Sequence, residues 1–567
     1  MQTQDLRAPK DALEKRAGFY LYKNLKIQAT QFLDGERRQE IYLDNGRIAN
    51  AAKLNGNITD EKILKMLIKT KDFKNLVFSI GVSINSTNSS DIFDFKLIHY
   101  GKTDPYKSGT RVHSSICANG VEQIILLNQV EWLNDDENVG QLAITFPEFQ
   151  DFAEISVRLY LKDGFSVPLE EEEQTLDATS LEYSKMIEKS LLNCGNNARF
   201  KKAVQKAKNG EDVTIAFIGG SITQGAGAVP INTECYAYKS FCGFTELFAK
   251  DKNKMHFIKA GAGGTSSELG CVRYENDVTQ NGKILPDLVI IEYAVNDEGD
   301  ETKGECYEGL VRHIWNSKNK PAVILLFSVF ADNYTLQDRF IPLGNLCNLA
   351  MISLKNAVLP EFEKKGNEKR VINRQMYYYD IFHPSNIGHK VMADCLINYF
   401  KVAENLAKDE DLSELSIYKS DEFENIEMFD RTNAENFIKN LQIGDFFNID
   451  KDLPCVERNL DRNRTPMFPN NWQFKGNCKN AKAFSFEIAC KTLLIVMKDS
   501  GNANCCKVNV FVDEKLVRTL DPKEIGWTHA NALIIIKEKI EKPHNVKIVP
   551  VGETENAEFT ILAFGRA

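Results

Sequence analysis

The sequence predicts an α/β protein in which a central three-layer domain lies between two β-sandwich domains. Its 567 residues correspond to three or four domains at about 150 residues each. Between 176 and 408, apolar runs alternate with amphipathic helical segments, which is typical of a parallel sheet covered on both faces. Before and after this stretch, short β-branched runs are separated by polar turns, as in sandwiches.

Residues 1–175 form the first predicted sandwich. Strands are expected where β-branched and aromatic residues cluster, at 75–85, 122–128, 142–146 and 154–161. No long helical period separates these runs, so we expect an all-β domain.

Residues 176–408 form the predicted α/β domain, whose sheet is parallel. Continuous apolar runs predict buried strands at 213–220, 256–261, 287–293 and 322–330. Apolar residues recurring at three and four positions predict helices at 181–192, 198–208, 237–249, 304–317, 343–357 and 386–406.

Residues 409–567 form the third predicted domain, a jelly-roll sandwich that resembles a carbohydrate-binding module. Alternating runs predict strands at 483–489, 491–498, 507–517, 531–538, 544–551 and 558–565. The third of these runs contains Asp513-Glu514-Lys515, which can form the turn of a hairpin.

Composition excludes several classes of protein. Seventy basic and 79 acidic residues give a net charge of −9, which argues against a nucleic-acid partner. No apolar run reaches the roughly 18 residues that cross a bilayer, so no membrane association is expected. Residues 1–18 are charged and lack an apolar core, and the thirteen cysteines include no Cys-x-x-Cys pair. We therefore expect reduced thiols and a cytoplasmic protein, unless a leader was removed.

The glycine-rich turn 218–225 follows the first apolar run of the α/β domain. A phosphate-binding P-loop would end in Gly-Lys-Ser/Thr, and a dinucleotide fingerprint would need a different glycine spacing. An α/β-hydrolase nucleophile elbow would have glycine at position 223, which is Thr223. What remains is Ser221 at the carboxyl end of a strand, where α/β sheets place their sites.

Three other segments of the α/β domain carry groups that could contribute to a site. Asp380 and His383 lie three residues apart, so the carboxylate can orient the imidazole. Asn296 follows the run 287–293, where its amide can serve as a fixed donor. After 256–261 come Gly263 and Gly264, whose backbone can approach a ligand closely.

Ser221, Gly264, Asn296 and the Asp380/His383 pair occur in this order, each at the end of a strand. In these blocks the sequence resembles the SGNH (GDSL-like) hydrolase superfamily over about 190–405. The Gly-Gly-Ser-Ile-Thr form of the first block is similar to that of multidomain bacterial carbohydrate acetylesterases. Gly220 stands where aspartate is usual, and Lys259 where asparagine is frequent, which leaves the choice between Gly263 and Gly264 open.

The resemblance implies a flavodoxin-like core and a role for each residue. Ser221 would be the nucleophile, with His383 as its base and Asp380 as the orienting carboxylate. The N–H groups of Ser221 and Gly264 and the amide of Asn296 would form the oxyanion hole. No metal and no cofactor are implied.

The flanking β-domains favour a carbohydrate O-acetylesterase acting on acetylated xylan- or mannan-type oligosaccharides. The first alternative is an SGNH lipase, thioesterase or lysophospholipase, but these are usually compact single domains. The second alternative is a non-catalytic glycan-binding protein. Such a protein would lack a member of the catalytic triad, but Ser221, His383 and Asp380 are all present. The sequence predicts neither the sugar nor the oligomeric state.

Two tryptophans of the third domain are candidates for substrate binding. Trp472 and Trp527 both lie in polar, turn-rich segments between strands, where exposed binding residues tend to occur. An indole offers a broad apolar face to a sugar ring. The alternative is that each belongs to the core of the sandwich.

Overall fold

The computed structural model describes residues 16–567 apart from 30, 34–35, 105, 149, 171–173, 365–367, 457–464 and 503. The strands are β1 (Gly18–Gln28), β2 (Gln31–Leu33), β3 (Glu36–Tyr42), β4 (Val77–Asn85), β5 (Ile92–Gly101), β6 (Arg111–Cys117), β7 (Gln123–Leu126), β8 (Asp136–Phe146), β9 (Phe152–Leu161), β10 (Leu191–Asn193), β11 (Val213–Gly219), β12 (Met255–Gly261), β13 (Leu288–Glu292), β14 (Ala322–Phe327), β15 (Ala350–Ser353), β16 (Glu427–Phe429), β17 (Ile438–Gln442), β18 (Cys455–Val456), β19 (Thr465–Pro466), β20 (Trp472–Gly476), β21 (Phe484–Asp499), β22 (Lys507–Val512), β23 (Lys515–Leu520), β24 (His529–Val551) and β25 (Ala557–Arg566). The α-helices are α1 (Arg47–Gly56), α2 (Glu61–Met66), α3 (Thr70–Leu76), α4 (Leu181–Glu188), α5 (Ala198–Asn209), α6 (Ser221–Gln224), α7 (Tyr236–Phe248), α8 (Ser267–Asp277), α9 (Glu305–Asn316), α10 (Gln337–Leu346), α11 (Leu354–Phe362), α12 (Arg374–Tyr377) and α13 (Asn386–Asn405).

The described residues form two compact units. The first consists of the described residues within Met1–Leu176 and Ile372–Gly388, and the second of those within Asp177–Val371 and His389–Ala567. The first unit therefore includes a short segment from late in the predicted α/β region. The division into domains at 1–175, 176–408 and 409–567 stays a prediction.

The first unit contains the predicted β-sandwich. Its antiparallel sheets have the strand orders β1-β9-β4-β7 and β2-β3-β8-β5-β6. One apolar core joins side chains of both sheets, among them Val82 and Leu159 of the first and Phe95 and Ile144 of the second. Helices α1 to α3, which the sequence did not predict, lie between β3 and β4 and bury apolar side chains in the same core.

The central sheet of the second unit has the order β10-β15-β14-β13-β11-β12. Every pair from β15 to β12 is parallel, and β10 is antiparallel to β15. All residues of β13 and β14 are buried, so both faces of the sheet are covered, as a three-layer α/β domain requires. The four apolar runs of this region are confirmed as β11 to β14.

Two helix predictions in this region are wrong in part. The predicted helix 181–192 ends at Glu188, as α4, and its last two residues belong to β10. The segment 343–357 is not a single helix, because β15 separates α10 from α11. The four residues of β15 are all buried and pair with β14 on one side and β10 on the other. Pairing with the sheet outweighs the local helical pattern here.

The C-terminal part of the second unit is the jelly-roll-like sandwich, with the strand order β16-β25-β21-β24-β22-β23. The predicted hairpin is confirmed: Asp513 and Glu514, both with positive φ, connect β22 to β23. Two pairs of predicted strands merge into the long strands β21 and β24. The predicted fold class, an α/β domain with a largely parallel sheet and flanking β-sandwiches, is confirmed.

The C-terminal sandwich and the α/β sheet share one apolar core. This core includes Ile291 and Leu325 of the sheet and Leu494 and Ala532 of the sandwich. Helix α8 contacts the sandwich, since a β-carbon placed on Gly565 would lie 2.7 Å from Val272 Cγ2. The two parts of the second unit are therefore packed as one body.

Candidate active site

Three predicted site residues follow neighbouring strands that end at the same sheet edge. Gly219, at the end of β11, pairs with Gly261 of β12 and with Glu292 of β13. Ser221, Gly264 and Asn296 come directly after these ends. Because the strands are parallel and in register, their following turns lie side by side.

The turn at Ser221 leaves no room for side chains before the serine. A β-carbon on Gly219 would lie 2.4 Å from the backbone oxygen of Glu292. A β-carbon on Gly220 would lie 2.3 Å from Asn296 Oδ1. The side-chain amide of Asn296 thus packs directly on the residue before Ser221. This close approach explains why glycine occupies position 220, where the resembled family usually has aspartate.

Residues 261–267 run from the last residue of β12 to the first residue of α8, and we call them the oxyanion loop because they contain the predicted oxyanion donor Gly264. The Ala262 N–H donates to the Gly219 carbonyl at 3.1 Å. A β-carbon on Gly263 would lie 3.9 Å from Ser221 Cβ, and Gly264 has a φ of 70°, in the left-handed region that favours glycine. Gly263 therefore lies near the serine turn and Gly264 follows it directly, and the choice of Gly264 as the N–H donor stays a prediction.

Asp297 anchors the end of the oxyanion loop. Its buried carboxylate accepts hydrogen bonds from the backbone N–H of Ser267 at 2.8 Å and from the Ser267 hydroxyl at 2.6 Å. Burial raises the pKa of Asp297 to about 7, although the bonds from Ser267 oppose this shift. Asp297 thus ties the segment after β13 to the start of α8.

Arg273 is a second residue that holds the site in place, and the sequence did not predict it. It supports the ends of β11 and β12. This fully buried side chain donates to the carbonyls of Gly219 at 3.0 Å and Ala260 at 2.7 Å, at the ends of β11 and β12. Its charge is paired with Asp277 at 3.0 Å. An arginine on a helix usually faces solvent, so local pattern gave no sign of this role.

Asp380 and His383 lie in the first unit, in the Asp–His loop, residues 379–385. His383 Nδ1 donates to Asp380 Oδ2 at 2.8 Å. The backbone N–H groups of Phe382 and His383 also donate to Asp380 Oδ1, at 2.7 and 2.8 Å. Burial acts to raise the pKa of Asp380, but the charge and hydrogen bonds of His383 and the backbone donors bring it below its usual value. Asp380 is therefore a carboxylate that fixes the His383 tautomer.

Helix α12, just before the Asp–His loop, is attached to the N-terminal sandwich. The Gln375 side chain donates to the Asn55 carbonyl, at the end of α1, at 3.1 Å. Burial, followed by the nearby Tyr379 and Asp380, raises the pKa of Tyr22 on β1. These contacts explain why residues 372–388 group with the first unit.

The two candidate tryptophans lie in different environments. Trp472 is 1% exposed and packs against Phe484 and Phe564 in the core of the C-terminal sandwich, so the expectation that it offers an exposed face is wrong. Trp527 is 47% exposed, and a β-carbon on Gly264 would lie 2.8 Å from its Cη2 atom. Trp527 thus lies against the oxyanion loop, and its contact with substrate stays a prediction.

A polar cavity of about 400 Å³ opens beside this loop, within the second unit. Its wall includes Gly264 and Asn296 from the α/β domain and Arg518 and His529 from the sandwich. Glu268 also lines it, and burial together with nearby carboxylates raises the pKa of this residue to about 7. The cavity offers hydrogen-bonding groups more than apolar surface.

Two negative findings concern the described residues alone. Within them, no cluster of three or more His, Cys, Asp and Glu side chains is arranged to hold a metal ion. None of their helices is long and apolar enough to cross a membrane.

No protein-family model and no curated protein matches the chain. Among solved structures, a two-domain esterase active on acetylated mannans, co-crystallized with mannopentaose, is similar at 25% identity and a TM-score of 0.56. The match covers 67% of this chain and 97% of that one. Another crystal structure of a two-domain esterase active on acetylated mannans matches at 24% identity and a TM-score of 0.57, over 67% and 98% of the two chains. The structural neighbours are carbohydrate esterases, and the predicted resemblance to multidomain enzymes of this class is confirmed.

Proposed function

We propose that this protein is a serine esterase that removes O-acetyl groups from carbohydrate. The observation that carries the proposal is the strand register that brings the turns of Ser221, Gly264 and Asn296 to one sheet edge. The chain also holds a hydrogen-bonded Asp380–His383 pair of the kind that activates a serine.

In the proposed reaction, Ser221 Oγ attacks the acetyl carbonyl carbon while His383 takes the hydroxyl proton. The carbonyl oxygen becomes an oxyanion, which the N–H groups of Ser221 and Gly264 and the amide of Asn296 stabilise. The ester C–O bond then breaks, and His383 returns its proton to the sugar oxygen. Water, deprotonated by His383, attacks the acetyl-serine, releases acetate and restores Ser221.

A carbohydrate substrate is favoured by the polar cavity beside the oxyanion loop. Sugar hydroxyls can donate to the carboxylates of Glu268 and Glu301 and accept from Arg518, all of which line it. A long acyl chain would bury these charged groups against hydrocarbon at a high cost in free energy. Among sugars, mannan-type oligosaccharides are the first candidates, because the neighbour at 25% identity acts on acetylated mannans. Xylan-type oligosaccharides are the second.

The test is acetate release from acetylated manno-, xylo- and chito-oligosaccharides, together with p-nitrophenyl esters of increasing chain length. We expect cleavage of acetyl esters only, and loss of turnover by ~10⁴-fold or more in Ser221→Ala with an unchanged melting temperature. Preference for long acyl chains would instead indicate a lipase or thioesterase. Oligosaccharide binding without acetate release would indicate a glycan-binding protein.

A further inference from the structure

His529, the first residue of β24, joins the C-terminal sandwich to the oxyanion loop. Its side chain is 5% exposed. Nδ1 lies 3.0 Å from Oδ2 of Asp499, the last residue of β21 and its partner in the sheet. Nε2 lies 3.0 Å from the backbone oxygen of Gly264. Both ring nitrogens are therefore in hydrogen-bond contact, one with a carboxyl group and one with a carbonyl.

These two contacts fix the number of protons on the Asp499–His529 pair. A carbonyl oxygen can only accept, so Nε2 must carry a proton. The second contact also needs a proton, held either on Nδ1 or on the Asp499 carboxyl group. The pair is then an imidazolium beside a carboxylate, or a neutral imidazole beside a carboxylic acid, with the same proton count. Burial raises the pKa of Asp499, although the bond from His529 opposes this shift.

Loss of one proton would disrupt one of the two contacts. A neutral imidazole that keeps Nδ1–H toward Asp499 would turn a bare Nε2 lone pair to the Gly264 carbonyl. A neutral imidazole that keeps its proton on Nε2 would instead place the lone pair of Nδ1 against the negative carboxylate of Asp499. In either case two acceptors would face each other in a buried setting, which is unfavourable.

We propose that His529, oriented by Asp499, is a positioning residue that holds Gly264 of the oxyanion loop in its working geometry while the pair keeps both protons. This inference rests on the proposed function. It assigns the C-terminal sandwich a role in the chemical step in addition to any contact with sugar. Loss of one of these two protons at alkaline pH should accordingly lower activity, because it breaks one of the two contacts.

Other charged groups surround the pair and enter the experimental design. Asp521 and Glu524 lie on the sandwich side, and Glu268, Glu301 and Arg518 line the same cavity. The Trp527 ring also contacts His529, with ring centroids 4.7 Å apart and the two planes inclined at 60°, and it carries no charge. Burial raises the pKa of Glu268 to about 7, so the pH profile of the unmodified protein alone cannot identify the pair. Variants of the pair must be compared with one another.

The test uses the full chain with four variants and p-nitrophenyl acetate, which senses the oxyanion hole without needing a sugar site. We expect His529→Ala and Asp499→Ala to lower kcat by roughly 10- to 100-fold at neutral pH with little change in KM. Asp499→Asn should recover most of this loss, because its amide can donate to Nδ1 and leave the proton on Nε2. It should also move the alkaline fall in kcat to higher pH, since no extra proton is then needed.

The matched control is His544→Ala. His544 also lies on β24 and pairs through Nδ1 with a carboxylate, Asp513, at 2.8 Å, but it does not contact the oxyanion loop. We expect its kcat to stay within twofold of the unmodified protein. An equal loss in His544→Ala, or a kcat for His529→Ala within twofold of the unmodified protein, would overturn the proposal. Failure of Asp499→Asn to recover activity would overturn the role of the proton.

A measurement without substrate separates this inference from the proposed function. ¹⁵N spectra of histidine-labelled protein, assigned by loss of one signal in His529→Ala, should show Nε2 of His529 protonated. In Asp499→Asn, Nδ1 should be unprotonated while Nε2 keeps its proton. An unprotonated Nε2 at neutral pH would overturn the inference whatever the activity. A protein with this proton but no esterase activity would overturn the proposed function and the kinetic role together.

Discussion

The oxyanion loop and the Asp–His loop are held in place by different kinds of contact. In the Asp–His loop, Asp380 accepts from residues only two and three positions away, and the Tyr379 N–H donates to the His383 carbonyl at 2.8 Å. The oxyanion loop is tied to residues far along the chain, through Asp297 and His529. A locally bonded loop can be inferred from a short motif. A loop with distant supports should instead respond to changes far from its own sequence.

The largest expected effect is at the locally bonded loop. His383→Ala should lower kcat by ~10⁴–10⁶, as serine-hydrolase bases do, while Asp380→Asn should retain more activity because Asp380 only orients the base. The matched control is His256→Ala, which removes the exposed His256–Asp212 pair, bonded at 2.8 Å. Steady-state kinetics on p-nitrophenyl acetate decide the matter. If Asp380→Asn proved more damaging than His383→Ala, the assigned roles would be wrong.

Asn296 comes next, because it contacts the serine turn from a neighbouring strand end. Asn296→Ala should lower kcat by ~10²–10³ with little change in KM, as for removal of one oxyanion donor. Asn319→Ala is the control, since Asn319 precedes β14 at the opposite edge of the sheet and donates to the Pro286 carbonyl at 2.7 Å. A rise in KM with kcat unchanged would make Asn296 a ground-state binding residue instead.

A smaller effect is expected at Trp527, which borders the oxyanion loop. Trp527→Ala should reduce kcat/KM on an acetylated oligosaccharide about tenfold and spare a small aryl acetate, as loss of one modest sugar contact would. Phe447→Ala, which removes another exposed aromatic ring of the same module, should change neither. Equal losses on both substrates would mean that Trp527 supports the loop and does not bind sugar.

The smallest effect on turnover is expected at Trp472, which touches neither loop. Its burial predicts that Trp472→Ala lowers the free energy of unfolding by about 3–5 kcal/mol through the cavity it leaves. Turnover per folded molecule, measured well below the melting temperature, should be unchanged. A selective loss on oligosaccharide without a fall in melting temperature would return Trp472 to the substrate site.

Much of the α/β domain could be predicted because its strands carry their own pattern. β11, β13 and β14 are continuous apolar runs, and such runs can only be buried on both faces. The exceptions in this domain are β10 and β15, three and four residues long, which are too short for periodicity to distinguish helix from strand. Helix α8 was also missed, because nearly all of its residues are buried and it therefore lacks an amphipathic pattern. Tertiary packing, not the local pattern, decided all three elements.

Within the site, the sequence by itself determined the groups that carry the proposed chemistry. Ser221 after two glycines, Asn296 after a buried strand and Asp380 three residues before His383 are each local arrangements, set by neighbours along the chain. Their short spacing is what made them visible as motifs.

Only the tertiary structure decided which side chains support these groups. Arg273 below the strand ends and the Asp499–His529 pair behind Gly264 are ordinary residues in their own segments. The tertiary structure also distinguishes Trp472 from Trp527, although both lie in similar turn-rich sequence. Trp472 is a core residue, and Trp527 lies against the oxyanion loop. The physical reason is that burial and hydrogen bonding depend on which surfaces meet after folding. A contact between residues hundreds of positions apart leaves no periodicity or spacing in the chain.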